Sequence, residues 1–164
     1  VEFHATAKYP APLDEVLKML TSEEFQRVRL ADLPVKIKSV QINDGPKKSE
    51  VTVTTEIHAK PADLNLPSMA DKFIPRQGLT VAMTETWNID SAQSVLTFDT
   101  GGLPVKVSAN SKLIDEGDAV TRNVEGTVTV SVPIVGRKLE QRAVAEMGEI
   151  VRAEESAARK YLEN

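Results

Sequence analysis

Residues 133–164, PIVGRKLEQRAVAEMGEIVRAEESAARKYLEN, decide how the rest of the chain folds. Val135, Leu139, Ala143, Met147, Ile150, Ala157 and Tyr161 recur at steps of three, four or seven, which places them on one face of a helix. Arg, Lys, Glu and Gln fill the other faces. Pro133 stands where a helix-opening proline is tolerated, and interior Gly148 weakens the helix by about 1 kcal/mol relative to Ala. At ~1.5 Å per residue the helix is roughly 45 Å long, enough to cross a small domain. An apolar stripe of that length needs a surface to cover it.

The preceding residues supply that surface as strands. Residues 120–132 alternate, with Val120, Arg122, Val124, Gly126, Val128, Val130 and Val132 on one side, and they run straight into the helix. Before them come Leu103 to Leu113 on one parity, a strand marked by Leu96 and Phe98, and a strand with Leu79, Val81, Met83, Glu85, Trp87 and Ile89 on one face. Further upstream, Val51, Val53, Thr55, Ile57 and Ala59 share a face. Residues 35–43 alternate with a phase error between Ile37 and Val40, which predicts a bulge near Ser39. The chain opens with a strand over residues 2–9. Two short helices follow it, one carrying Leu13, Val16, Leu17 and Leu20, the second opening on a Thr21/Glu24 capping box and carrying Phe25, Val28 and Leu30. Short turns between long alternating strands predict an antiparallel sheet with one covered face.

The expected architecture is α+β: a curved seven-stranded antiparallel sheet wrapped around one long C-terminal helix, with two short helices after the first strand. With no linker or repeat, residues 1–164 read as a single domain. Residues 60–78 form the longest stretch without strand character, with Leu64, Leu66, Met69, Phe73 and Ile74 among three prolines. It reads either as a lid or as a loop packing its apolar residues on the sheet edge.

Composition excludes several classes of function. The net charge of −4, with no basic run and few aromatic residues, argues against a nucleic-acid binder. The acidic balance also disfavours anionic lipid surfaces. The absence of cysteine excludes disulfides and thiolate chemistry and fits a reducing compartment. No signal-peptide pattern and no spanning apolar run appear, so a cytoplasmic protein without an integral membrane segment is the default expectation.

The order of elements resembles the helix-grip fold of the START-like (SRPBCC) superfamily, which includes relatives of the birch-pollen allergen Bet v 1 and many polyketide cyclases. Phe3-His4-Ala5-Thr6 to Tyr9-Pro10-Ala11-Pro12, Glu24-Phe25-Gln26, Thr84-Glu85-Thr86-Trp87 and Pro133-Ile134-Val135-Gly136 are similar to a family of bacterial domains of unknown function, number 2505. The resemblance implies a cavity between sheet and helix for an apolar or amphipathic ligand. It implies no reaction, since the superfamily uses one scaffold for carriers, sensors and enzymes.

The residues themselves show no catalytic motif. His4 and His58 lie on the polar parity of their strands and read as solvent-facing; without paired histidines or cysteines, no metal or other cofactor is expected. Glu85 and Arg122 break the apolar parity of their strands. They read either as an ion pair or strand-end charges reaching water at the rim, or as a polar anchor inside a cavity. Tyr9, Thr55 and Ser111 share the inward parity. With Trp87, Met83, Phe73 and Met147 they complete the expected ligand-binding set around Glu85 and Arg122. Gly126 and Gly148 mark either close packing or volume left open.

The expected function is binding of a hydrophobic or amphipathic small molecule, lipid-like or polyketide-like, between the sheet and the last helix. The alternatives are a cyclase or hydratase using Glu85 as acid or base, and a protein-interaction adaptor.

Overall fold

The computed structural model describes residues 1–63 and 72–163. In chain order the elements are β1 (Glu2–Tyr9), α1 (Leu13–Leu20), α2 (Glu23–Leu30), β2 (Lys36–Asp44), β3 (Glu50–Ala59), β4 (Leu79–Asn88), β5 (Gln93–Asp99), β6 (Val105–Asp115), β7 (Val120–Val130) and α3 (Gly136–Glu163). The strands form one antiparallel sheet in the order β1-β7-β6-β5-β4-β3-β2. This is the expected α+β helix-grip arrangement.

Alternation in the sequence becomes a two-faced sheet. In β1, Phe3, Ala7 and Tyr9 are buried while Glu2, His4, Thr6 and Lys8 are exposed. The phase error in β2 is a register shift between Ile37 and Ser39 against β3. Phe3 lies opposite Gly126 of β7. A Cβ on Gly126 would come within 2.5 Å of the Ser108 carbonyl oxygen and 2.6 Å of the Phe3 ring, so this glycine makes room for an aromatic side chain across the sheet. Gly148 has no such role, since a Cβ there would meet only the Arg152 guanidinium at 3.7 Å.

Helix α3 lies over β1 and β7 and contacts α2. Two apolar clusters result. One joins α1 and Phe25 to Tyr9, Trp87, Leu113, Val120, Val151 and Ala158. The other joins Phe3, Ala109, Val124, Val128 and Val130 to Leu139, Ala143, Val144 and Met147.

Three sequence expectations shift. The cap of α2 is Ser22, whose hydroxyl accepts from the Phe25 N–H at 3.2 Å. Thr21 closes α1 instead, its hydroxyl donating to the Leu17 carbonyl at 2.7 Å, so it is unavailable as the expected cap. The long helix opens at Gly136, not Pro133. Ile134 takes φ 71°, which no helix accommodates, and a Cβ at Gly136 would lie 2.6 Å from the Val130 carbonyl oxygen, so the chain must turn sharply off β7 first. Finally, the buried face of α3 runs through Val151, Glu154 and Ala158, while Ile150 is 39% exposed.

Candidate functional site

Seven elements of the fold send one polar side chain or more to the same place. Arg122 of β7 stands at its centre: Nη2 donates to Glu85 Oε2 of β4 at 2.5 Å, and Nη1 to Glu154 Oε1 of α3 at 2.6 Å. The Tyr9 hydroxyl at the end of β1 donates to Glu154 Oε1 at 2.6 Å. Arg29 of α2 reaches Glu154 Oε2 at 3.3 Å. Ser94 of β5 donates to Glu85 Oε2 at 2.7 Å, and its hydroxyl lies 2.6 Å from that of Ser111 of β6. The Arg122 guanidinium also sits 5.2 Å from the centre of the Trp87 ring.

Glu85 and Arg122 are each 4% exposed, so they are an ion pair in the interior rather than charges at a rim. Two carboxylates and two guanidiniums leave the group electrically balanced, which is how the interior tolerates it. Burial opposes the charge on Arg122, but Glu85 and Glu154 outweigh it and hold its pKa well above the usual value. Burial likewise pushes Glu154 up, yet Arg122, Arg29 and the Tyr9 hydroxyl more than offset it and hold the carboxyl below its usual value. Burial, then the Glu154 charge, raises Tyr9 well above the ordinary phenol value. Two buried N–H groups, Arg122 Nε and Trp87 Nε1, have no hydrogen-bond partner among the described residues.

Of the expected site residues, Tyr9, Glu85, Trp87, Ser111 and Arg122 meet in this cluster. Thr55 is buried beside Met83, its cross-strand partner. Met147 belongs to the second apolar cluster, and Phe73 lies half-buried under the Lys72 ammonium in the connection between β3 and β4. Most of that connection, residues 64–71, lies outside the described residues, and with it the lid expected there. Glu154, Ser94 and Arg29 were not anticipated. Glu154 follows Met147 by seven residues and Val151 by three, so helical spacing carried the signal. Ser94 shares the parity of Leu96 and Phe98.

Beside the cluster the inner face of the sheet is apolar and less completely covered. Ile37, Ile57 and Val81 form a cross-strand row on β2, β3 and β4, and Met83 pairs with Phe98 of β5; all five are half-buried. The outer face carries an open, mostly polar depression of about 550 Å³ near Asn88, Gln93, Asn110 and Lys112. A smaller one of about 260 Å³ lies near Leu33, Lys36, His58 and Lys60. Among the described residues, no group of three or more His, Asp or Glu is placed to hold a metal ion.

The family described as "Protein of unknown function (DUF2505)" matches residues 4–162. An uncharacterized protein of Mycobacterium tuberculosis is 23% identical over 171 aligned positions, covering 99% of this chain and 97% of its own. Among solved structures, the TTHA0849 protein from Thermus thermophilus superposes with a TM-score of 0.64 at 15% identity, covering 96% of this chain and 97% of its own. A START superfamily protein from Mycobacterium smegmatis superposes with a TM-score of 0.57 at 15% identity, covering 96% of each chain. These likenesses extend to the whole fold and stop there.

Proposed function

Starting from the fact that the chain belongs to the DUF2505 family and has a START-like fold, we propose that it binds an amphipathic small molecule on the inner face of its sheet. The observation that carries this reading is the division of that face. Its β1 and β7 side is packed under α3, whereas the Ile37–Ile57–Val81 row and the Met83–Phe98 pair remain half-buried. A sheet that curves over a helix but leaves apolar rows incompletely covered suits an apolar guest.

The ligand's apolar body lies on those rows, with Met147 and Thr55 at its flank. Its polar end faces the ionic cluster. The cluster's spare groups, Arg122 Nε and Trp87 Nε1, are both donors, and its formal charges already cancel. A neutral acceptor such as a carbonyl or ether oxygen therefore fits better than a carboxylate, which would bring an uncompensated charge into the interior. Enclosing ~300 Å² of apolar ligand surface at ~25 cal/mol per Å² contributes about 7 kcal/mol gross. That corresponds to a Kd of about 10 μM, and ordering costs weaken it further. Cyclase or hydratase chemistry is the weaker reading, because Glu85 Oε2 already accepts from both Ser94 and Arg122.

Native mass spectrometry of freshly purified protein, followed by titration of Trp87 fluorescence with a long-chain methyl ketone, tests the proposal. Binding is expected to change Trp87 emission, to weaken several-fold in Met83→Asp, and to weaken in Glu85→Gln, which unbalances the cluster. No co-purified species and no spectral response would remove the ligand site.

A further inference from the structure

The chain is acidic overall, yet the register of the sheet gathers unpaired cations at one of its ends. The start of β2, the end of β3, the start of β4, the end of β5, the start of β6 and the end of β7 all lie together there. Lys36, Lys60, Lys72, Arg76, Arg137 and Lys138 project from that end and are exposed. None has a carboxylate within ion-pair distance among the described residues, whereas the exposed helix-face residues Arg27, Arg152 and Arg159 each hold a glutamate. At the opposite end the turns carry exposed Asp44, Asp90, Asp115, Glu116 and Asp118 against Lys47 and Lys48, and exposed Asp63 and Asp99 flank the six cations at the basic end. The net charge of −4 therefore hides a polarised molecule.

Two features of this basic end work against folding. Arg137 and Lys138 occupy the first turn of α3, which contains no acidic residue, so both oppose the helix dipole. Ile134, immediately before them, is fully exposed and holds φ 71°, a strained conformation for a β-branched residue. An anion at the start of α3 would offset the opposed charges, and an apolar phase around Ile134 would cover its exposed side chain; the interface of an anionic bilayer supplies the two together. A folded acidic protein supplies only the first. We infer that this end of the molecule docks on anionic lipid surfaces, with Ile134 entering the acyl boundary and the surrounding cations contacting headgroup phosphates. The inference revises the expectation from overall composition, since only the charges within about a Debye length of the membrane determine docking. It concerns a surface and stands apart from the ligand proposal.

The test is sedimentation of the whole chain with vesicles of phosphatidylcholine alone or with added phosphatidylglycerol. Binding to the anionic vesicles only is expected, with loss at ~1 M salt, where the Debye length is about 3 Å. Each basic residue near an anionic surface accounts for about fivefold in partitioning, so R137E/K138E is expected to lower it at least about twenty-five-fold. The same variant is expected to melt no lower than the parent, because it places acids at the helix start; a loss of binding then cannot be unfolding. Ile134→Asp is expected to weaken binding, and Lys112→Glu, on the outer face of the sheet, to leave it unchanged. Failure to bind anionic vesicles, undiminished binding by R137E/K138E, or capture by polyglutamate without any vesicle binding would each overturn the assignment. Trp87 titration without vesicles reads the ligand site separately.

Discussion

Arg122 satisfies two buried carboxylates at once, so removing it leaves Glu85 without a cation and Glu154 with Arg29 alone. Arg122→Met is expected to destabilise the fold by about 3–5 kcal/mol, read by urea unfolding, while E85L/R122M recovers most of that loss because Glu154 keeps Arg29 and the remaining charges cancel. The pH dependence follows from the two shifted acids. Glu154 has a lower pKa folded than unfolded, so its contribution is present above the ordinary value of 4.5 and is lost as pH falls through the folded value. Tyr9 has a higher pKa folded than unfolded, so stability is expected to fall again as pH rises past 10.0, where the unfolded phenol ionises and the buried one does not. Melting temperatures measured across pH check both limbs, and Glu154→Gln is expected to flatten the acid one. Glu85 and Arg122 were legible because each interrupts an apolar parity. Glu154 was missed although it follows Met147 by one heptad, because a glutamate among the charged residues of a long helix looks like any solvated one until the packing of α3 fixes which face turns inward.

At the scale of elements, the glycines of α3 and β7 have opposite roles that composition alone does not separate. Gly148→Ala is expected to raise stability by up to about 1 kcal/mol, since the added methyl meets no closer neighbour than a guanidinium at 3.7 Å. Gly126→Ala is expected to lower it by about 1–3 kcal/mol, because backbone oxygen and the Phe3 ring already occupy the space. Thermal unfolding of the two single variants gives the contrast directly. Strand parity, the β2 bulge and the existence of all three helices were readable from periodicity. The capping residue of α2 and the first turn of α3 were not, because each depended on a neighbour: Thr21 was taken by α1, and Gly136 was pressed against Val130. The exposed Ile150 shows the same limit, since a stripe at three-four spacing fixes a face to within one residue and tertiary contact with β1, β7 and α2 selects Val151 instead.

Across the whole molecule, α3 carries Val151, Ala158 and Glu154 into a core otherwise built by the sheet and two short helices. A chain ending before Gly136 is expected to lose cooperative unfolding and to bind an apolar dye, because Arg122 and the inner face of β7 would be left uncovered. Among the described residues no helix is long and apolar enough to cross a membrane. The sequence by itself determined the element order, the antiparallel sheet and which face of each strand turns inward, because hydrophobic periodicity is a local property of the chain. Only the tertiary structure decided that Tyr9, Arg29, Glu85, Ser94, Arg122 and Glu154 form one charge-balanced network and that Lys36, Lys60, Lys72, Arg76, Arg137 and Lys138 gather at one end of an acidic chain. Both depend on strand register and helix placement, which join residues more than a hundred positions apart, and no local pattern encodes that distance.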